Sequence, residues 1–224
     1  MTVHLQRDVN QLQEDMLSLS GRVEGMVRQS VQMLRECDYE SAVDFGRRDD
    51  EIDRIEVAIE ESCLKTLALH QPVAGDLRMI TAVMKISGEL ENVADLAVNI
   101  TERALGIAGQ DGIVVPDEVN EMSTLAVRML RDAIDAYVRS DAELAMTVRT
   151  QDEQVDVLNQ SVIGQISEQI RQRPDRVDGL LHLFSASRLI EQIADHATVI
   201  AEDVVYYVRG EIVRHTPMFQ TPAS

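Results

Sequence analysis

The chain has 224 residues, which suffices for one large domain or for two domains of about 100 residues each. Hydrophobic residues make up 45% of the chain but aromatic residues only 3%, so aliphatic side chains must fill the core, as is typical of helical bundles. The net charge of −18 argues against a protein that binds nucleic acid or an anionic membrane surface. The N-terminal MTVHLQRDVNQL has no apolar signal core and no run of about 18 apolar residues follows it, so we expect a cytoplasmic protein without a membrane span.

Amphipathic helices account for almost the whole chain, because apolar residues recur every three or four positions. Segments that contain Pro and Gly separate these helices at 70–76, 106–118 and 171–179. Asp38 and Asp141 stand where a short carboxylate can cap the start of the following helix. The predicted helices cover residues 4–37, 39–70, 75–106, 117–140, 142–172 and 176–212. In the last helix the apolar face consists of Leu183, Ala186, Ile190, Ile193, Ala197, Ile200, Val204 and Val208.

The second half of the chain repeats the first at an offset of about 100 residues. Two acidic pairs of the first half, Asp49 with Asp53 and Glu91 with Asp95, recur as Asp152 with Asp156 and Glu191 with Asp195. This recurrence indicates an internal duplication of a three-helix unit. We therefore predict an all-α fold, a tandem repeat of two antiparallel three-helix bundles. The expected domains are 1–108 and 115–213, followed by a flexible tail at 214–224.

Each acidic pair places two carboxylates four residues apart on one helix face, where like charges cost roughly 0.2–0.5 kcal/mol per pair. Two interpretations remain open. In the first, solvent and nearby arginines such as Arg47, Arg54, Arg78 and Arg188 neutralise the charge. In the second, two helices of one bundle bring their pairs together, and four carboxylates form a site for a hard cation such as magnesium, calcium, manganese or oxidised iron. The recurrence of the pairs in matching places favours the cation site.

The second half departs from the first around these pairs. Glu56, Glu60 and Asn99 are replaced by Asn159, Ile163 and Val199. The second site should therefore carry fewer negative charges. Glu102 and Glu202 lie further along the same faces as additional candidate ligands, whereas His196 points to another side of its helix and is expected to be a packing or rim residue.

Four motifs together resemble the PhoU family of phosphate-uptake regulators over roughly residues 5–213. They are DDEIDRIE at 49–56, HQPVAGDLRMI at 70–80, ELENVADLAVNITE at 89–102 and IEQIADHATVIAEDVVYYVRGE at 190–211. The resemblance implies two multinuclear metal sites on the bundle surface, with iron, zinc, magnesium or manganese as the metal. It assigns Asp49, Asp53, Glu91 and Asp95 to the first site and Asp152, Asp156, Glu191 and Asp195 to the second.

The same resemblance implies a cytoplasmic, non-enzymatic adaptor that represses a phosphate-responsive two-component system. Its implied partners are the ATP-binding subunit of the phosphate transporter and a sensor histidine kinase, with membrane association only through those partners, and the implied assembly is a homodimer. Two alternatives stay open. One is a carboxylate-metal enzyme that hydrolyses phosphoesters, although Ser161 and Ser187 lack an activating His–Asp context and no P-loop is present. The other is a metal-free helical scaffold.

Overall fold

The computed structural model describes residues 3–36, 45–108, 110 and 112–214, and these residues form six long α-helices and no strand. The predicted all-α fold is confirmed. A 3-10 turn, Pro174–Arg176, precedes the last helix. The helices are α1 (Val3–Glu36), α2 (Phe45–His70), α3 (Gly75–Ala108), α4 (Asp117–Arg139), α5 (Ala142–Gln172) and α6 (Val177–Arg209).

Local sequence sets the start of α5 and the end of α6. The Asp141 carboxylate accepts hydrogen bonds from the backbone N–H groups of Glu143 and Leu144, at 3.0 Å each, so its predicted role as the cap of α5 is confirmed. The predicted end of α6 at residue 212 is wrong, because Gly210 adopts a left-handed conformation with φ of 74° and ends the helix at Arg209. Asp38, the other predicted cap, lies outside the described residues, and so does Cys37, one of the two cysteines of the chain.

Three helices pack into each of two bundles, α1 with α2 and α3, and α4 with α5 and α6. The bundles are joined along α3 and α6, which contact each other extensively, and α1 also contacts α4. The buried side chains form one continuous hydrophobic cluster that extends through both bundles. Seven of the eight predicted apolar positions on α6 are fully buried, and Val208 is partly buried at the edge of the core.

The segment after α6 turns back onto the second bundle. Arg149, which is buried on α5, donates from its Nη2 atom to the carbonyl oxygen of Val213 at 3.1 Å. Arg214 forms an ion pair with Asp203 of α6. The predicted flexible tail at 214–224 lies outside the described residues apart from Arg214 itself, and the predicted domain limits stay predictions.

The acidic pairs lie on the outer faces of the bundles because their apolar neighbours point inward. On α3, Val93 and Ala94 stand in sequence between Glu91 and Asp95, and both are buried. On α6, Ile193 and Ala194 stand in the same way between the two acidic residues, and both are buried. Burying Val93 and Ile193 contributes about 1.5–3 kcal/mol each and helps to fix the rotation of each helix. Among the described residues, no helix is long and apolar enough to span a lipid bilayer.

Candidate metal centres

The first acidic cluster comprises Asp49 and Asp53 of α2 with Glu91 and Asp95 of α3. Burial raises the pKa of Asp49 from 3.8 to about 6, and the negative charge of Asp95 on the neighbouring helix is the next largest cause. Burial also raises the pKa of Glu91, followed by the charges of Asp95 and then Asp53. The structure thus brings the carboxylates of α2 and α3 to within electrostatic reach of one another across the helix interface.

The second acidic cluster comprises Asp152 and Asp156 of α5 with Glu191 and Asp195 of α6. Although Asp195 reaches solvent, burial of its carboxyl group raises its pKa to about 6, and the charges of Glu191 and then Asp152 add to this. Burial likewise raises the pKa of Asp152, and the charge of Asp156 adds to this. In each half of the chain, carboxylates from two helices therefore lie within electrostatic reach of one another.

Several buried oxygen atoms in these clusters have no hydrogen-bond partner in the part of the chain that the structure describes. They are Asp49 Oδ1 in the first cluster and Glu191 Oε2 in the second, and Asn159 Oδ1, three residues after Asp156 on α5, is likewise unpartnered. Leaving a buried acceptor unpaired costs about 1–3 kcal/mol, and more when the acceptor is charged. A cation bound at these oxygens would remove that cost, so the donor sets fit hard cations that prefer oxygen ligands.

Arginine neutralises part of the second cluster, as the alternative interpretation expected. Arg188 Nη1 lies 2.7 Å from Glu191 Oε1, and Arg149 Nε lies 3.1 Å from Glu202 Oε1. The other three arginines of that interpretation behave differently. Arg78 donates to the carbonyl oxygen of Tyr207 at 3.4 Å, and Arg47 and Arg54 form no ion pair with a described residue.

The two clusters consequently differ in their electrostatic surroundings. Glu56 is half-buried beside the first cluster and its charge raises the pKa of Glu91, whereas the corresponding Asn159 is neutral and buried. The first cluster has no arginine partner among the described residues, while Arg188 contacts the second. These differences agree with the prediction that the second cluster is less negative.

The carboxylates of the two clusters do not form a coordination sphere in the structure. Within the described ranges, no three His, Cys, Asp or Glu side chains stand close enough to hold one ion together. Side-chain rotation on the fixed helices would therefore have to accompany ion binding, and the assignment of the eight carboxylates as ligands stays a prediction.

Residues outside the acidic pairs also shape this region. His196 Nδ1 lies 2.6 Å from Glu89 Oε2 and links α6 to α3, so it connects the two bundles at their shared face. Sequence reasoning missed the buried Arg149 and the buried Asp203, because a charged residue in an amphipathic helix normally indicates a solvated position. Their burial is explained by their ion-pair partners, because Arg149 pairs with Glu202 and Asp203 pairs with Lys85.

Comparison with known proteins places this architecture in one family. The PhoU domain family matches the chain twice, over residues 16–104 and 119–204. The phosphate-specific transport system accessory protein PhoU homolog of Pseudomonas aeruginosa is 33% identical, covering 96% of this chain and 91% of that protein. The homolog of Aquifex aeolicus is also 33% identical, covering 93% and 95% respectively.

Solved structures agree with the sequence matches. The crystal structure of PhoU from Pseudomonas aeruginosa superposes with a TM-score of 0.89 at 31% identity, covering 92% of this chain and 99% of that chain. The phosphate transport system regulatory protein PhoU from Streptococcus pneumoniae, at 24% identity and a TM-score of 0.86, shares the fold. With two matched repeats, relatives that align along nearly their whole length and the same six-helix architecture, the chain belongs to the PhoU family.

Proposed function

We propose that this chain is an accessory protein of a phosphate transport system that regulates phosphate uptake and binds metal ions at its two acidic clusters. The observation that carries the metal proposal is that, in both halves of the chain, carboxylates from paired helices lie within electrostatic reach of one another, with a buried, unpartnered oxygen in each cluster. The names of the curated relatives supply the transport context, since they describe accessory proteins of the phosphate-specific transport system.

The first site would use Asp49, Asp53, Glu91 and Asp95, and the second would use Asp152, Asp156, Glu191 and Asp195. Iron, zinc, magnesium and manganese are the candidate ions, and a bound ion would supply positive charge on an otherwise acidic helix face. Glu191 must exchange its contact with Arg188 for the ion, so the second site should bind more weakly than the first.

The regulatory role is that of a cytoplasmic adaptor, working as a homodimer. It would contact the ATP-binding subunit of the transporter and a sensor histidine kinase, and would reach the membrane only through them. Long helix faces suit such docking, and both clusters lie on outer faces where a partner can approach a bound ion. The role requires binding and no turnover, so we assign no catalytic residue.

Two measurements test the proposal. The protein purified from phosphate-replete cells should co-purify with the ATP-binding subunit and the kinase, and association with neither would contradict the adaptor role. Elemental analysis should find metal in the wild type and less metal in a variant carrying Glu91→Ala and Asp95→Ala. A variant carrying Glu61→Gln, an exposed position on α2 outside the cluster, should retain the wild-type metal content.

The alternatives predict other results. A carboxylate-metal phosphohydrolase would turn over phosphate esters with added metal and would lose this activity in Asp95→Ala and Asp195→Ala. A metal-free scaffold would contain no metal after purification under either aerobic or anaerobic conditions.

A further inference from the structure

A cavity lies between α3, the end of α6 and the segment after it, and Glu202 of α6 is among its lining residues. Its volume is about 360 Å³, which is in the range of sites for small organic ligands. Lys85 of α3, Tyr206 of α6 and Ile212 and Arg214 of the following segment line it. The returning segment therefore forms one wall.

Two cations are held side by side at this cavity by one buried carboxylate. Asp203 is only 2% exposed, and its Oδ1 atom accepts from Lys85 Nζ at 3.1 Å and also from Arg214. The side chains of Lys85 and Arg214 remain 46% and 39% exposed. An ammonium group has three donors and a guanidinium group has five, so both retain donors that Asp203 does not use.

The remaining charges near the cavity leave it positive. Glu202 also lines the cavity, but buried Arg149 pairs with it at 3.1 Å. Arg149 also holds the backbone of the returning segment through Val213 O, so the wall that carries Arg214 is anchored. The charged residues that line the cavity, together with their ion-pair partners, are three cations and two carboxylates, a local excess of positive charge in a chain whose net charge is −18.

An apolar surface adjoins the cations. The Lys85 ammonium nitrogen lies 5.8 Å from the centroid of the Tyr206 ring, and Ile212, at 75% exposure, stands on the opposite segment. Paired cations bind the oxygen atoms of a phosphate group, and an aromatic ring with an aliphatic neighbour contacts a flat organic group. The cavity thus offers cations to a phosphate group and an apolar surface to an organic group of the same ligand.

We propose that this cavity binds a small organic phosphate monoester, with its phosphate group at Lys85 and Arg214 and its organic part against Tyr206 and Ile212. The proposal goes beyond the function proposed above, and its site uses none of the eight carboxylates assigned to metal. Adenosine monophosphate is a suitable probe because it carries both a phosphate monoester and a flat organic group.

Isothermal titration calorimetry of the full chain with adenosine monophosphate, in buffer with a metal chelator, tests the site. Saturable binding is expected, with at least about tenfold weaker binding of both adenosine and inorganic phosphate, because each lacks one half of the contacts. No saturable binding of adenosine monophosphate, or equal binding of either fragment, would overturn the proposal.

Variants locate the binding. Lys85→Gln and Arg214→Gln should each weaken binding of adenosine monophosphate at least about tenfold. Both changes also remove an ion pair of the buried Asp203. Ile212→Glu serves as a second test because it leaves the ion pairs of Asp203 with Lys85 and Arg214 in place. It should abolish binding, since it places a negative charge at the cavity. Val73→Glu is the matched control, since Val73 is equally exposed at 75% and lies between α2 and α3. Unchanged binding in Ile212→Glu, or equal loss in Val73→Glu, would refute the assigned position.

Discussion

Replacing Asp49 by Asn should stabilise the metal-free protein while weakening its metal binding. Asp49 is half-buried, its Oδ1 atom has no partner among the described residues, and its pKa is raised from 3.8 to about 6, mainly by burial and by the charge of Asp95. The folded state therefore disfavours ionised Asp49. Asn keeps the shape of the side chain and removes the charge.

The size of the stabilisation follows from the raised pKa of Asp49. A rise of about two units corresponds to roughly 3 kcal/mol at 1.36 kcal/mol per unit, and partial exposure to solvent reduces this to about 1–2 kcal/mol. The penalty grows as pH rises from the unfolded pKa of 3.8 through the folded pKa of about 6, and it is complete above that value. At about pH 8, Asp49→Asn should raise the Tm of the metal-free protein by roughly 2–8 °C.

Thermal unfolding with a chelator, measured at about pH 8 and at about pH 4.5, provides the assay, and the gain should shrink to roughly a third at the lower pH. With added manganese, the Tm should rise less in the variant than in the wild type, because the variant has lost a ligand. Glu61→Gln, also on α2 but outside the cluster, should change neither result. A metal-free variant that is less stable than the wild type at about pH 8 would refute the reasoning.

Three further predictions concern other parts of the chain. Arg188→Gln should destabilise the metal-free protein by about 1–2 kcal/mol by leaving Glu191 without its counter-charge, and added manganese should restore more stability than in the wild type; an unchanged Tm in chelator would contradict this. In a Cys37→Ser background, Cys63 should not react with an aromatic disulfide reagent at about pH 8 until the protein unfolds, because burial raises the pKa of its thiol to about 12. Labelling of the native protein within seconds would contradict this. Asp141→Ala should lower the free energy of unfolding by about 1 kcal/mol, whereas Asn at this position should retain most of the cap, as chemical denaturation can show.

The sequence suffices to predict the helices because apolar periodicity and helix breakers act locally. Asp141 shows this for a helix start. The end of α6 was missed because apolar Ile212 continues the periodic pattern, whereas the left-handed backbone at Gly210 had already stopped the helix. Periodicity also identifies which residues are buried but does not specify which helix covers them. The pairing of α3 with α6 into one continuous core therefore appears only in the structure.

The candidate sites, too, could be predicted from the sequence only in part. Spacing of four residues places Glu91 and Asp95 on one face, and this could be predicted from helix geometry alone. Their approach to Asp49 depends on how α2 packs on α3, which spacing does not determine. Arg149 was beyond sequence reasoning because its burial requires both Glu202 and the segment that returns after α6.

The central claim is that carboxylates from paired helices hold a cation in each half of the chain. Anomalous diffraction from crystals grown with manganese tests it most directly. We predict one or more anomalous peaks between α2 and α3, touching Asp49 and Asp95, and weaker peaks between α5 and α6, touching Asp152 and Asp195. Crystals that contain manganese elsewhere but show no peak at either cluster, with the carboxylates facing solvent or arginine, would contradict the account.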